Sequence, residues 1–172
     1  VVQPGMLEAK RNNYLAATIV KGDRLGFAFV DITTGEFRAT QLSAVDNYQL
    51  IHHEITRLEP AELLLSDDAS EQLVFTDRVN VSRLAGWKFE ASSARQALCD
   101  HFEVSTLDGF GFRDDGLAIC ASGAILHYLR DNQECALKML TSLTPYSSDE
   151  FMQLDTTTRK NLELTETIRD GR

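Results

Sequence analysis

The chain has 172 residues and a formal net charge of −9, with 43% hydrophobic and 25% charged side chains. That length and balance give a folded globular unit with a sizeable core and exclude a chain that is disordered throughout. The negative charge disfavours a dominant role in binding free nucleic acid, and no apolar run approaches the ~18 residues needed to cross a membrane.

The order of elements follows from periodicity. Residues 14–20 (YLAATIV) read as a strand, and Lys21-Gly22-Asp23 as a turn with glycine where a positive φ costs little. Residues 25–32 form a second strand with two apolar faces, Leu25, Phe27, Phe29 and Gly26, Ala28, Val30, Ile32, so it is expected to be central and covered on both sides. Residues 36–42 are more polar, as an edge strand would be, and complete an antiparallel meander. Ser43 is a helix N-cap with Asp46 in capping-box position. Val45, Tyr48, Ile51, Ile55 and Leu58 then recur at helical spacing up to Pro60.

The AELLLSDD stretch is a short buried strand, and the helix before it implies parallel pairing. Residues 79–89 contain a further strand, and Ser92 or Ser93 caps a helix through ARQALCDHF. The glycine-rich loop TLDGFGFRDDG leads to a helix from Leu117 to about Arg130, whose small residues Ala118, Ala121, Ser122, Gly123 and Ala124 allow close packing. TSLTPYSSDE reads as a linker or turn, and residues 151–171 as a strand followed by a helical start.

Asp31-Ile-Thr-Thr-Gly-Glu36 invites a metal or phosphate reading. Two-metal chemistry needs carboxylates that converge on one point. Nucleases of the ribonuclease H type place an acid on the first strand, and YLAATIV has none. Glu54, Asp67 and Asp68 are the other candidates, and no convergent set emerges from their positions. The segment also lacks the glycine spacing and lysine of a P-loop. The expected reading is a hairpin turn, in which Asp and Thr side chains bond nearby N–H groups and Gly35 takes the awkward dihedral.

His52 and His53 are adjacent on a helix and point about 100° apart, so one is expected to face solvent and the other to pack. Cys99, Cys120 and Cys135 form no C-x-x-C pair and read as buried thiols of a reducing compartment, with Cys99 structural. His127 reads as a packing or surface residue, and Gly109 to Phe112 as a loop anchored by its phenylalanines. Arg159 and Lys160 beside Glu163 and Glu166 form a helix-face charge pattern.

Four segments in order carry a resemblance: NNYLAATIV, GFAFVDITTGEF, LDGFGF with GLAICASGAILHYLRDNQ, and LDTTTRKNLELTETIRDG. Together they resemble MutS, the DNA mismatch-recognition ATPases, over nearly the whole chain. The resemblance implies an α/β, ribonuclease H-like mixed sheet, an antiparallel meander plus parallel strands flanked by helices. It implies that residues 1–9 end the mismatch-binding domain, that 10–120 are the connector, and that 121–172 begin the helical core or lever domain. The chain then reads as a piece of a longer protein.

The mismatch-reading Phe-x-Glu motif and the Walker A motif are absent from the sequence. The resemblance therefore implies a non-catalytic piece with no cofactor of its own, ATP and Mg belonging to the ATPase part elsewhere. Asp31, Thr34, Gly35 and Glu36 become a structural signature turn. The implied partners are MutL, the other domains of the parent and, through the parent alone, mismatched DNA. The resemblance further implies no membrane, a monomeric piece, and a bacterial cytoplasmic parent associated with the nucleoid.

The MutL dock is expected on the helix near Ser93 to Phe102. There Ala94, Leu98 and Phe102 form the inner stripe, and Arg95, Gln96 and Asp100 face solvent. The loops around Gly109 and Pro145 are the expected joints. Two alternatives stay open: a divergent nuclease using Asp31, and a generic interaction module.

Overall fold

Tyr14–Lys21 (β1) and Arg24–Asp31 (β2) form a long hairpin, in register from Tyr14 opposite Asp31 to Lys21 opposite Arg24. Gly22 takes a φ of 61° at the first loop position, where primed hairpin turns place glycine. These coordinates are a computed structural model that describes residues 13–69, 79–112 and 116–145, with backbone alone over 44–48.

Phe37–Ser43 (β3) continues the meander antiparallel to β2. Helix Ala44–Leu58 (α1) follows and ends at Glu59, which takes a left-handed conformation just before Pro60. Glu62–Ser66 (β4) returns parallel to β1, and Val81–Leu84 (β5) lies parallel to β4. After a 3₁₀ turn at Gly86–Phe89 come helix Ala91–Phe102 (α2), a second 3₁₀ turn at Asp108–Phe110 and helix Gly116–Asn132 (α3). A third 3₁₀ segment, Glu134–Met139, leads to the two-residue strand Thr144–Pro145 (β6). The six-stranded sheet has the order β5-β4-β1-β2-β3-β6.

Alternation along the central strands divides the core. Leu15, Ala17, Ile19, Ala28 and Val30 face α2 and α3, while Ala16, Leu25, Phe27 and Phe29 meet Ile51, Ile55 and Leu58 of α1. α3 is the most buried helix described, and small residues let it approach the sheet. A Cβ on Gly26 would overlap the Leu117 carbonyl, and one on Gly123 would overlap Ala94 of α2. Tyr128 of α3 donates its hydroxyl to Glu62 Oε2 at 2.5 Å, and the Ser82 hydroxyl donates to the same oxygen. Burial, then the Glu62 carboxylate, push the Tyr128 hydroxyl up to about 12.

Several expectations change. β3 is not an edge, because β6 pairs with it in parallel at Arg38–Thr144 and Ala39–Pro145. Thr144 and Pro145, read as linker, therefore belong to the sheet. The second parallel strand is confined to 81–84. α2 starts at Ala91 with Glu90 in the N-cap position, ahead of Ser92 and Ser93. Ser43 does stand at the N-cap of α1, with no side-chain capping bond. The boundary expected at residue 120 falls inside α3, which stays packed past it: Ala121, Ala124, Ile125, Leu126 and Leu129 are all fully buried. The first expected domain, residues 1–9, and everything after Pro145 lie outside the described residues.

Each fully buried Leu or Ile contributes roughly 1.5–3 kcal/mol. Losing Ile125, Leu126 and Leu129 would remove about 5–9 kcal/mol from a stability of typically ~5–15 kcal/mol. A chain shortened to residue 120 is therefore expected to show no cooperative urea transition by circular dichroism. One shortened to residue 145 is expected to keep a single transition. Cooperative unfolding of the shorter chain would place the boundary back at 120.

Candidate functional site: the signature turn and the groove beside α2

The turn after β2 closes on the Asp31 carboxylate. Oδ1 of Asp31 accepts from the Thr33 amide at 3.0 Å, the Thr33 hydroxyl at 2.6 Å and the Asn13 amide at 3.2 Å. The backbone closes around it: Asp31 N–H donates to Glu36 O and Gly35 N–H to Asp31 O, each at 2.8 Å. The Glu36 amide donates to the Thr34 hydroxyl at 3.2 Å. Gly35 has a φ of 83°, a region that favours glycine. All four signature residues thus serve the turn.

Asp31 is 1% exposed. Burial alone would raise its carboxyl, but the hydrogen bonds from Thr33, Asn13 and Thr34 outweigh it and hold the group below the usual carboxylate range.

The other acids stand elsewhere. Asp31 lies level with Tyr14, whereas β4 pairs Leu15 with Glu62 and so brings Ser66 level with Ile19. Asp67 and Asp68, beyond Ser66, are therefore at least ~16 Å from Asp31 along the strands. Asp68 accepts from the Ser66 hydroxyl, and Glu54 is buried on α1 in a salt bridge with Arg57. Among the described residues no group of three or more His, Cys, Asp and Glu side chains is arranged to hold a metal ion.

The histidines and cysteines divide by burial. His52 and His53 are both half-buried, so neither is the solvent-facing residue expected. Burial, with His53 beside it, pushes His52 below the usual imidazole range. His127 packs edge-on against Trp87 at 5.2 Å, and burial, then Arg130, push it down in the same way. Cys99 is half-buried against the core, as a structural residue would be. Cys120 is buried, and its burial pushes the thiol up. Cys135 is exposed, contrary to the reading of all three as buried.

α2 carries the remaining candidates. Ala94, Ala97 and Leu98 are buried against α3 and the sheet, while Arg95, Gln96 and Asp100 face solvent. Phe102, at the end of the expected stripe, is half-buried and packs against Phe110 in a tilted pair, ring centroids 5.1 Å apart. Ala97 is the inner residue the spacing argument missed; it lies one turn from Ala94 and is small enough to pass unnoticed. Gln96 Nε2 donates to Asp100 Oδ1 at 2.8 Å across one turn.

Beside this row lies an open groove of about 490 Å³. One wall is Arg95, Gln96, Cys99 and Asp100, and the other is the segment from Val104 to Asp108. The second wall was not legible in the sequence, because it depends on how buried Leu107 folds the loop back. Asp100 and the C-cap residue Glu103 put negative charge at the negative end of the helix dipole, a placement that costs helix stability. The groove thus combines the charged and polar side chains of Arg95, Gln96 and Asp100 with Cys99, Val104 and Leu107.

Asp31 supplies a direct test of the turn. A depressed folded-state pKa means that its contribution is complete above the unfolded value near ~3.9 and is lost as pH falls through the folded value. Asp31→Asn keeps an acceptor but removes the charge. It is expected to cost about 1–2 kcal/mol at pH 7 and much less at pH 3, read from urea midpoints. An equal cost at both pH values would show that the charge does not hold the turn.

Comparison with known proteins now adds to this geometry. The family described as MutS domain II matches residues 13–143. The DNA mismatch repair protein MutS of Dehalococcoides mccartyi strain CBDB1 is 40% identical over 164 residues, 95% of this chain and 19% of that protein. Those of Symbiobacterium thermophilum and Halothermothrix orenii are 38% and 37% identical over 99% and 100% of this chain. The chain thus spans about a fifth of the length of these relatives. MutS domain II is ribonuclease H-like, and the sheet found here, an antiparallel meander extended by parallel strands and flanked by helices, is a mixed α/β sheet of that kind. From sheet order, sequence identity and the extent of the match, the chain belongs to the MutS domain II family.

Proposed function

We propose that this chain is the non-catalytic connector of a MutS-type DNA mismatch repair protein. In that role it links the mismatch-binding, lever and ATPase parts and relays nucleotide-dependent conformational change between them. It also docks MutL through the groove beside α2. The observation that carries the docking is the row Arg95, Gln96 and Asp100, held on a helix whose opposite face is locked into the core. A rigid helix with a polar outer face suits a transient interface, because little side-chain or backbone ordering is needed on binding.

The absence of catalysis is supported by Asp31, whose carboxylate is already occupied by the turn. ATP and Mg are then matters for the ATPase part, and the chain itself needs no cofactor. A net charge of −9 supports contact with mismatched DNA through other parts of the parent. Among the described residues no helix is long and apolar enough to cross a membrane. We place the parent in the bacterial cytoplasm beside the nucleoid, and the isolated piece as a monomer.

Calorimetric titration with the N-terminal region of MutL tests the docking. Gln96→Arg removes the amide that orients Asp100, and Asp100→Lys reverses the charge. Each is expected to weaken binding at least about tenfold, or 1.4 kcal/mol. Asp100→Lys is also expected to leave the unfolding midpoint unchanged or slightly higher, because it relieves the unfavourable dipole contact. Unchanged affinity in both variants would remove the groove from the account.

A further inference from the structure

The segment after α3 is fastened in an unusual way. It buries only three side chains, Ala136, Leu140 and Leu143, while Glu134, Cys135, Lys138 and Met139 are exposed. Its backbone forms a 3₁₀ turn, whose hydrogen-bond geometry is poorer than an α-helix's, entered by Ala136 N–H to Gln133 O at 2.9 Å and left by Leu140 N–H to Leu137 O at 3.1 Å. It joins the sheet through two residues.

Three of its carbonyls meet other parts of the fold, two through hydrogen bonds and one by close approach. The Met139 carbonyl rests on the α-carbon of Gly35, where any Cβ would overlap it. The Leu140 carbonyl accepts from His101 Nε2–H at 2.7 Å, at the end of α2. The Pro145 carbonyl accepts from Arg38 Nη2 at 3.0 Å, on β3. Gly111 adds a seat for the Pro145 ring, at a spacing where a Cβ would come within 3.2 Å of Cγ.

From this we infer that residues 134–145 form a latch that opens as a unit separate from β1–β5, with Gly35, His101 and Arg38 as its receptor. Few buried apolar groups, a short ladder and side-chain clasps are the features of a low-stability cooperative unit. The signature turn thereby gains a second task. Asp31 and Thr33 shape it, and Gly35 presents bare backbone to the strap. His101 follows Asp100 directly, so the last turn of α2 borders the groove and clasps the latch.

The use of the latch rests on the connector reading: it would be the joint at which a relay bends. Its existence does not rest on that reading. Opening would leave β1–β4 intact.

Amide hydrogen exchange on this 172-residue chain tests the latch. His101→Phe keeps a ring against Phe102 and removes the donor, and Arg38→Met keeps the stem and removes the guanidinium. Each is expected to speed exchange at Ala136 and Leu140 about five- to tenfold, while Ala17 and Ala28 in the central hairpin keep their rates. Equal acceleration at all four positions would overturn the latch, making the segment part of the global core. Unchanged exchange at Ala136 and Leu140 in both variants would overturn it too, since the clasps would then hold nothing. Exchange of the same segment in the full-length parent, with and without nucleotide, reads the relay separately. Local opening that ignores nucleotide would end the relay reading and leave the latch standing.

Discussion

The closeness of α3 to the sheet governs the rest of the molecule. Gly26 gives no side chain to the space taken by the Leu117 carbonyl, and Gly123 gives none to the space taken by Ala94. A glycine inside a strand weakens it locally and is kept where another backbone must come near. Here the return is a helix with ten buried residues that seats α2 on one flank and the strap on the other. A side chain at Gly123 would push α2, and with it one wall of the groove, away from α3.

At the opposite end of β2 the chemistry is local. One carboxylate gathers three hydrogen bonds, and a tight turn follows in which only glycine is at ease. Oδ1 of that carboxylate is committed to the donors that shape the loop, so an acid at this place in the fold serves a turn. A fold shared with nucleases can therefore carry another task, and function must be argued from the site rather than from the architecture. The polar tie of Tyr128, Glu62 and Ser82 binds α3 to β4 and β5.

Much of this was legible in the sequence for definite reasons. The two apolar faces of residues 25–32 required a central strand, and the run of small residues around Gly123 required close helix packing. Asp-x-x-Thr-Gly announced a turn through side-chain chemistry that acts within a few residues. Arg95, Gln96 and Asp100 fell on the outer face by helical spacing alone. What could not be read was tertiary. No local signal says that Thr144–Pro145 will add to β3, that Val104–Asp108 will wall a groove, or that α3 runs through an apparent domain boundary. Gly35 illustrates the limit: its positive φ was foreseeable, and its contact with Met139, more than a hundred residues later, was not.

The sheet, the outward row on α2 and the clasped segment before Pro145 are the features that the proposed connector and dock would use. The measurement that tests this most directly is a residue-resolved NMR titration of the chain with the N-terminal region of MutL. The account predicts shifts confined to α2 and residues 104–108, with smaller ones at Leu140 through His101. Binding that shifts another face and leaves the groove untouched would contradict it.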